Sequence, residues 1–215
     1  MAILEVNNLK KIYTTRFGIN QVQALSDICF SVETGEYVAI MGESGSGKTT
    51  LLNILAALDK PTSEEVLLNR KDLSTIKEKD LSSFRRDNLG FVFQDFNLLD
   101  NFSIQDNIFL PLIPAGKKYP EMNQKLILAD EPSGALDSRS TDDLLRLFHQ
   151  INSDGQTILM VTRSTKAASH ANRILFIKDG KIFHQIYRGN STNEELYQII
   201  SDTLTVLATG GEYHE

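Results

Sequence analysis

The sequence has one cysteine, Cys29, and no run of apolar residues that approaches the ~18–20 a membrane span requires. A single thiol cannot close an internal disulfide, which excludes a disulfide-stapled secreted scaffold and fits a reducing cytosol. Positive charge is in deficit: 22 Lys and Arg against 28 Asp and Glu give a net charge of −6. That balance excludes nucleic-acid binding by bulk counterion release, unless a local basic stripe compensates. The N-terminus, Met1-Ala2-Ile3-Leu4-Glu5, has an acid where a signal peptide needs an unbroken apolar core. Internal repeats and low-complexity linkers are missing too. What is there is 215 residues, 41% hydrophobic and 23% charged, enough to bury a sizeable core and too apolar for wholesale disorder. The expectation is a soluble, intracellular chain with one core.

Hydrophobic patterning alternates strands with helices. Ile3–Val6, Ile28–Val32, Tyr37–Met41, Val66–Leu68 and Leu89–Phe93 read as strands, and Lys125–Ala129 and Thr157–Val161 as strands buried on both faces. Thr49–Leu58, Ile76–Arg86, Thr141–Ile151 and Asn193–Leu207 read as helices, the third with Leu144, Leu145, Leu147, Phe148 and Ile151 at helical spacing. Asp179-Gly180 between Ile174–Ile177 and Ile182–Ile186 is a hairpin signal. Such alternation predicts an α/β core with a largely parallel sheet.

The strongest motif is Gly42-Glu43-Ser44-Gly45-Ser46-Gly47-Lys48-Thr49, a G-x-x-x-x-G-K-[ST] loop between an expected strand and an expected helix. Its glycines let successive backbone N–H groups converge on phosphate oxygens, and the helix that follows turns its positive end to the same anion. Lys48 is expected to reach the β- and γ-phosphates and the Thr49 hydroxyl to ligate Mg²⁺. With glycine near 7% of average composition, a chance match in a chain this long is on the order of one in a hundred, so nucleotide binding is the reading. Farther on, Leu126-Ile127-Leu128-Ala129-Asp130-Glu131 is an apolar strand ending in two acids. Asp130 suits a Mg²⁺ partner and Glu131 a general base for an attacking water.

With Ser133-Gly134-Ala135-Leu136-Asp137 after those acids, nearly the whole chain resembles the ATP-binding subunits of ABC transporters. The nearest group comprises the subunits that power macrolide, lipoprotein-releasing and bacitracin-type exporters. Gln21-Val22-Gln23-Ala24-Leu25, the Phe91–Leu99 stretch and Ala129–Ser138 carry that likeness locally. The resemblance implies a P-loop NTPase core with a mostly parallel central sheet and an antiparallel N-terminal β region. It implies nucleotide contacts from Gly42, Ser44, Gly45, Ser46, Gly47, Lys48, Thr49 and Thr50, with Tyr13 stacked on adenine. Gln94 matches the family's sensor of Mg²⁺ and attacking water, and the metal set becomes Thr49, Gln94 and Asp130. Phe96–Leu112 fits either a face toward the membrane partner or a core segment.

The family pattern breaks in two places. The serine-glycine-glycine-glutamine signature that precedes the Asp-Glu strand is missing. Gln94 to Asp130 spans 130 − 94 = 36 residues, whereas the family's helical subdomain needs about three helices of roughly 11–12 residues plus loops. Pro111, Pro114 and Pro120 break the segment further. The sequence reads as though a block of helices were cut out at about Gln124–Lys125. At the other break, Arg163 stands where the family has a histidine that contacts the γ-phosphate. Arginine keeps a positive donor there but cannot shuttle a proton near neutral pH. His170, seven residues on, is expected as a solvated histidine on a surface helix. Glu64 and Arg70 take places where the family often has turn glycines, at a cost on the order of 1 kcal/mol each if φ is positive.

The expectation is one ABC-type ATP-binding domain over residues 1–215 with a truncated helical subdomain, using ATP and Mg²⁺, with Glu131, Gln94 and Arg163 acting on the γ-phosphate. It would sit in the cytoplasm on the inner face of the membrane, work with a separate permease, dimerise as its family does, and bind no nucleic acid. Hydrolysis is expected to be strongly impaired, because the signature helix that completes each site across the dimer is lost. The rivals are a decayed nucleotide-binding remnant without turnover and a small P-loop kinase or GTPase. The second is disfavoured by the absence of an Asn-Lys-x-Asp motif.

Overall fold

A computed structural model describes residues 1–14, 20–92 and 126–208. Strands β1 (Ala2–Thr14) and β2 (Gln21–Glu33) pair antiparallel, and β1 pairs on its other side with β4 (Ser63–Leu68), which is followed by the short β5 (Lys71–Asp72). The sheet order is β2-β1-β4-β5. β1 and β2 run well beyond the apolar runs Ile3–Val6 and Ile28–Val32. Register shifts between Val6 and Leu9 and between Leu9 and Lys11 break the two-residue alternation that marks a strand in sequence. Asn8 and Asp27 take φ of 50° and 64° there, and the Asn8 amide donates to Asp27 Oδ1 at 2.6 Å. Their short polar side chains make the left-handed region accessible. In the β4–β5 turn Asn69 and Arg70 have φ of 51° and 62°, so Arg70 does occupy a left-handed position, while Glu64 lies within β4.

The second sheet has the order β10-β9-β3-β8-β7-β6, formed by β3 (Tyr37–Met41), β6 (Leu89–Val92), β7 (Leu126–Asp130), β8 (Thr157–Thr162), β9 (Arg173–Lys178) and β10 (Lys181–Tyr187). Only β10 runs antiparallel to its neighbour. Every residue of β3 and β8 is buried, as expected of parallel strands covered on both faces. Val38 and Ile40 join the core under the first sheet, with Leu51, Ile54 and Leu55 of helix α1 (Lys48–Leu55). Tyr37, Ala39 and Met41 face the other way, into a core made with α3 (Ser138–Ser153), α4 (Thr165–Ala168) and α5 (Asn193–Ala208).

The helices start where the sequence provides caps. Asp137 Oδ1 accepts from the Ser140 N–H at 2.8 Å at the head of α3, and Ser164 Oγ from Ala167 N–H at 3.2 Å at the head of α4. Thr192 and Glu195 exchange bonds of 3.2 and 2.8 Å at the start of α5, a capping box. α3 buries Leu144, Leu145 and Phe148 completely, each worth roughly 1.5–3 kcal/mol relative to exposure. α2 (Glu78–Asn88) starts later than the expected Ile76, after a 3₁₀ turn at Leu73–Thr75 that Asp72 caps through Ser74 N–H at 2.8 Å. His170 departs from expectation: it lies in the turn after α4, half-buried, with its imidazole 3.4 Å from the Asn193 amide. Burial, followed by the Arg188 charge, holds its pKa below the ordinary value.

Among the described residues no helix is long and apolar enough to cross a membrane. Gln94, the Phe96–Leu112 stretch and the Gln124–Lys125 junction lie outside the described residues.

Candidate functional site

Three neighbouring strands of the parallel sheet end side by side. Met41 of β3 pairs with Thr162 of β8, and Asp130 of β7 pairs with Val161 of β8. The next residues along the chain, Gly42, Arg163 and Glu131, therefore emerge together at the carboxyl edge, where open α/β sheets hold ligands.

From Met41 the chain turns through Gly42–Gly47 into α1. Gly47 is the N-cap at φ 104°, with no capping side chain, so the first-turn N–H groups of α1 point into the loop without a side-chain acceptor. A Cβ on Gly47 would lie 2.6 Å from the Ala24 carbonyl; only glycine fits. Lys48 is buried, and its Nζ donates to the Gly42 and Glu43 carbonyls at 2.6 and 2.7 Å and lies 3.5 Å from Ser46 Oγ. The ammonium thus sits inside the curl of the loop. Burial, then the nearby Arg163 charge, lowers the Lys48 pKa against the opposing pull of Glu131, Asp130 and Glu43. Ser44, Gly45 and Thr49 are exposed and Ser46 is buried.

The acids stand opposite. Burial and the Glu131 charge raise the Asp130 carboxyl above its usual range, while Lys48 and Arg163 pull it down. Glu131 has φ 42° and anchors its N–H on the Val161 carbonyl at 2.8 Å. Its Oε1 accepts from Arg163 Nε at 2.7 Å, an ion pair. Asp137, beyond them, caps α3 as described above.

Tyr13 lies at the end of β1, one residue before Thr14, near Thr50 of the first turn of α1. The Tyr13 hydroxyl donates to Asp59 Oδ2 at 2.8 Å, and Lys11 Nζ lies over the ring, 4.7 Å from the centroid. Lys11 in turn donates to Asp59 Oδ1 at 2.6 Å and to the Lys60 carbonyl at 2.7 Å. Burial alone would raise the Asp59 carboxyl, but the bonds from Lys11 and Tyr13 hold it below its ordinary value. Asp59 and Lys11 were not among the sequence candidates; their partner in each case is 46 or 48 residues away, so no local pattern marks them.

A second feature that sequence reasoning misses is what the β9–β10 turn touches. Asp179 and Gly180, at φ 48° and 73°, make the expected hairpin turn. Gly180 also donates its N–H to the Ser46 carbonyl at 3.1 Å and accepts from Ser26 N–H at 2.7 Å. The turn thus ties the phosphate-type loop to β2.

Of the sequence candidates, the structure assembles Gly42–Thr49, Asp130, Glu131 and Arg163 in one cluster and puts Tyr13 and Thr50 at its flank. Asp130 and the exposed Thr49 hydroxyl are hard oxygen donors suited to Mg²⁺. Among the described residues no group of three or more His, Cys, Asp or Glu could hold a metal. The fit is to a cation shared with phosphate oxygens and water, the usual state of Mg²⁺.

Residues 25–170 match the family described as "ABC transporter". An uncharacterized ABC transporter ATP-binding protein of Bacillus subtilis (strain 168), YvcR, is 44% identical over 257 residues, covering 100% of this chain and 98% of its own length. The bacitracin export ATP-binding protein BceA of Halalkalibacterium halodurans is 38% identical over 248 residues, 96% of this chain and 97% of its own. Among solved structures, a dimeric post-hydrolysis state of the ATP-binding cassette MJ0796, bound to ADP and Pi, superposes with a TM-score of 0.72 at 30% identity, over 86% of this chain and 98% of that one.

Proposed function

The chain belongs to the ABC transporter family, and from that premise we propose that it is the ATP-binding subunit of an exporter, with a membrane permease supplied by another chain. The observation that carries this reading is the buried Lys48 ammonium, held inside a loop that opens toward Asp130 and Glu131. Lys48 and the first-turn N–H groups of α1 bind the β- and γ-phosphates. Thr49 and Asp130 hold Mg²⁺, which when bound neutralises phosphate charge, with Gln94 as the third ligand. Tyr13 stacks on the base. Glu131 orients and polarises water toward the terminal phosphate, and Arg163 supplies a positive donor in place of a proton-shuttling histidine. The cargo is a peptide, lipoprotein or antibiotic, a reading supported by the bacitracin export named for BceA. The working form is a homodimer at the inner face of the membrane, and residues 1–215 form one domain.

We further propose that the domain lacks its helical signature block, cut at about Gln124–Lys125, and hydrolyses ATP poorly. Support comes from the 36-residue spacing of Gln94 and Asp130. The match to YvcR also runs over 257 residues against 215 in this chain, a difference of 257 − 215 = 42. That same difference favours the second reading, a nucleotide-binding remnant without turnover.

Calorimetry with ATP and Mg²⁺ tests the site. Lys48→Ala removes a charge-assisted contact and is expected to weaken binding on the order of tenfold or more. Equal affinity in both proteins would remove the basis of the assignment.

A further inference from the structure

Glu131 and Arg163 are each assigned above to the terminal phosphate, yet the structure joins them to one another, Nε to Oε1 at 2.7 Å. The two partners are not equally free. The Glu131 side chain is only 17% exposed and rises from a backbone fixed on the Val161 carbonyl, whereas the Arg163 side chain is 59% exposed. The backbone on either side of Arg163 is anchored. Thr162 is buried and its Oγ1 accepts from Ser164 N–H at 3.0 Å, and Ser164 caps α4. Arg163 can therefore change partner only by swinging its side chain, while Glu131 stays in place. The pairing of Met41 with Thr162 sets Arg163 next to Gly42, where the loop begins. Within that reach the guanidinium already acts on the charges of both Lys48 and Asp130.

We propose that Arg163 selects a nucleoside triphosphate over a diphosphate by exchange: its guanidinium leaves Glu131 for the terminal phosphate, and this transfer uncovers the carboxylate. The proposal rests on the nucleotide-site reading given above. A guanidinium makes its strong contacts through a planar fork, to carboxylate or to phosphate. A terminal phosphate arriving beside the fixed carboxylate takes over that fork. A diphosphate offers no such group and leaves the pair closed. Because one charged contact is given up for another, the preference for triphosphate in the native protein is small. The closed pair lowers apparent ATP affinity in proportion to how seldom Arg163 is free.

The test measures Kd for ATP and for ADP, each with Mg²⁺, by calorimetry in the native chain, Glu131→Gln, Arg163→Gln and the double variant. Glu131→Gln is expected to raise the ratio of ADP to ATP Kd about tenfold when Arg163 is present, within the usual range for coupled sites. In the Arg163→Gln background the same substitution removes only carboxylate–phosphate repulsion, and the rise is expected to be severalfold smaller. An equal rise in both backgrounds would show two independent charges and overturn the exchange. ATP affinity that is insensitive to Lys48→Ala would overturn the nucleotide site itself, and the exchange with it. Lys48-dependent binding with an equal rise would sink the exchange alone.

Discussion

Tyr13 shows how a single side chain can be half legible. Its position, Leu9-Lys10-Lys11-Ile12-Tyr13, marks it by resemblance as the base-stacking aromatic, but nothing local says what holds the ring. The structure supplies Asp59, which accepts from the phenol at 2.8 Å, and Lys11, which covers the ring while pairing with the same carboxylate at 2.6 Å. With its rotamer fixed at both ends, the ring is 42% exposed and offers a surface rather than an edge of hydrogen-bonding atoms. Stacking uses the π-face of any base. Tyr13→Ala is therefore expected to weaken ATP and GTP by comparable factors, a few-fold to about a hundredfold, since one stacked base is worth ~1–3 kcal/mol. A fluorescence titration with both nucleotides decides it, and a loss confined to one base would point to edge readout. The phosphate loop, by contrast, is legible as a motif, because its eight residues are consecutive and lie between β3 and α1. The Arg163–Glu131 pair is not, since the two residues lie just past the ends of different strands and meet only through the sheet register.

Among the elements, sequence periodicity placed the strands that are buried on both faces and the α3 stripe correctly, because uniform burial and 3.6-residue spacing leave direct marks. It understated β1 and β2, where the register shifts break the alternation, and it misplaced His170, whose short helix α4 ends at Ala168. The β9–β10 hairpin was legible as a hairpin and silent about its contacts. Its turn carries a stronger constraint than the two-residue loop requires. A Cβ on Gly180 would lie 2.7 Å from the Ala24 carbonyl and 3.0 Å from Leu25 Cα, at φ 73°. Gly180→Ala is expected to destabilise the fold by about 1–3 kcal/mol and to weaken nucleotide binding as well, because the displaced turn lets go of the Ser46 carbonyl. Thermal melting with and without ATP separates the two effects. A variant that melts lower yet binds ATP as the native chain does would show that the turn supports the sheet and not the loop.

For the whole molecule, the layered α/β architecture followed from the order of expected elements, and the site followed from the strand ends. The expected defect lies in what the chain lacks. The proposed phosphate and metal groups are present in the sequence, so a bound ground state is expected to form, whereas the proposed loss of the signature block would deprive each site of the donors that a partner's helix brings. One preorganised donor is worth about 10²–10³ in rate. Phosphate release from the purified chain is expected to stay well below ~1 s⁻¹, the low end of typical enzymes, with Glu131→Gln as the blank. Arg163→His alone is expected to recover little. Turnover at or above that figure that Glu131→Gln abolishes would mean the missing block is dispensable.

The strand order also dictates a timetable. β3 carries the phosphate loop at its end, yet its two hydrogen-bonded neighbours are β8 and β9, and the turn that braces the loop is Asp179-Gly180. A ribosome has therefore finished the entire binding motif by Thr49 and must add some 130 more residues before the bracing turn is made, and about 110 before β8 can flank β3. Until then β3 is an apolar ribbon with both edges bare, the kind of segment that pairs with the wrong chain. Closing it depends on contacts of large sequence separation, which form slowly. The nascent chain is thus exposed for longest at the segment the finished protein relies on most, and any chain stopped before β9 holds the motif without the turn that braces it.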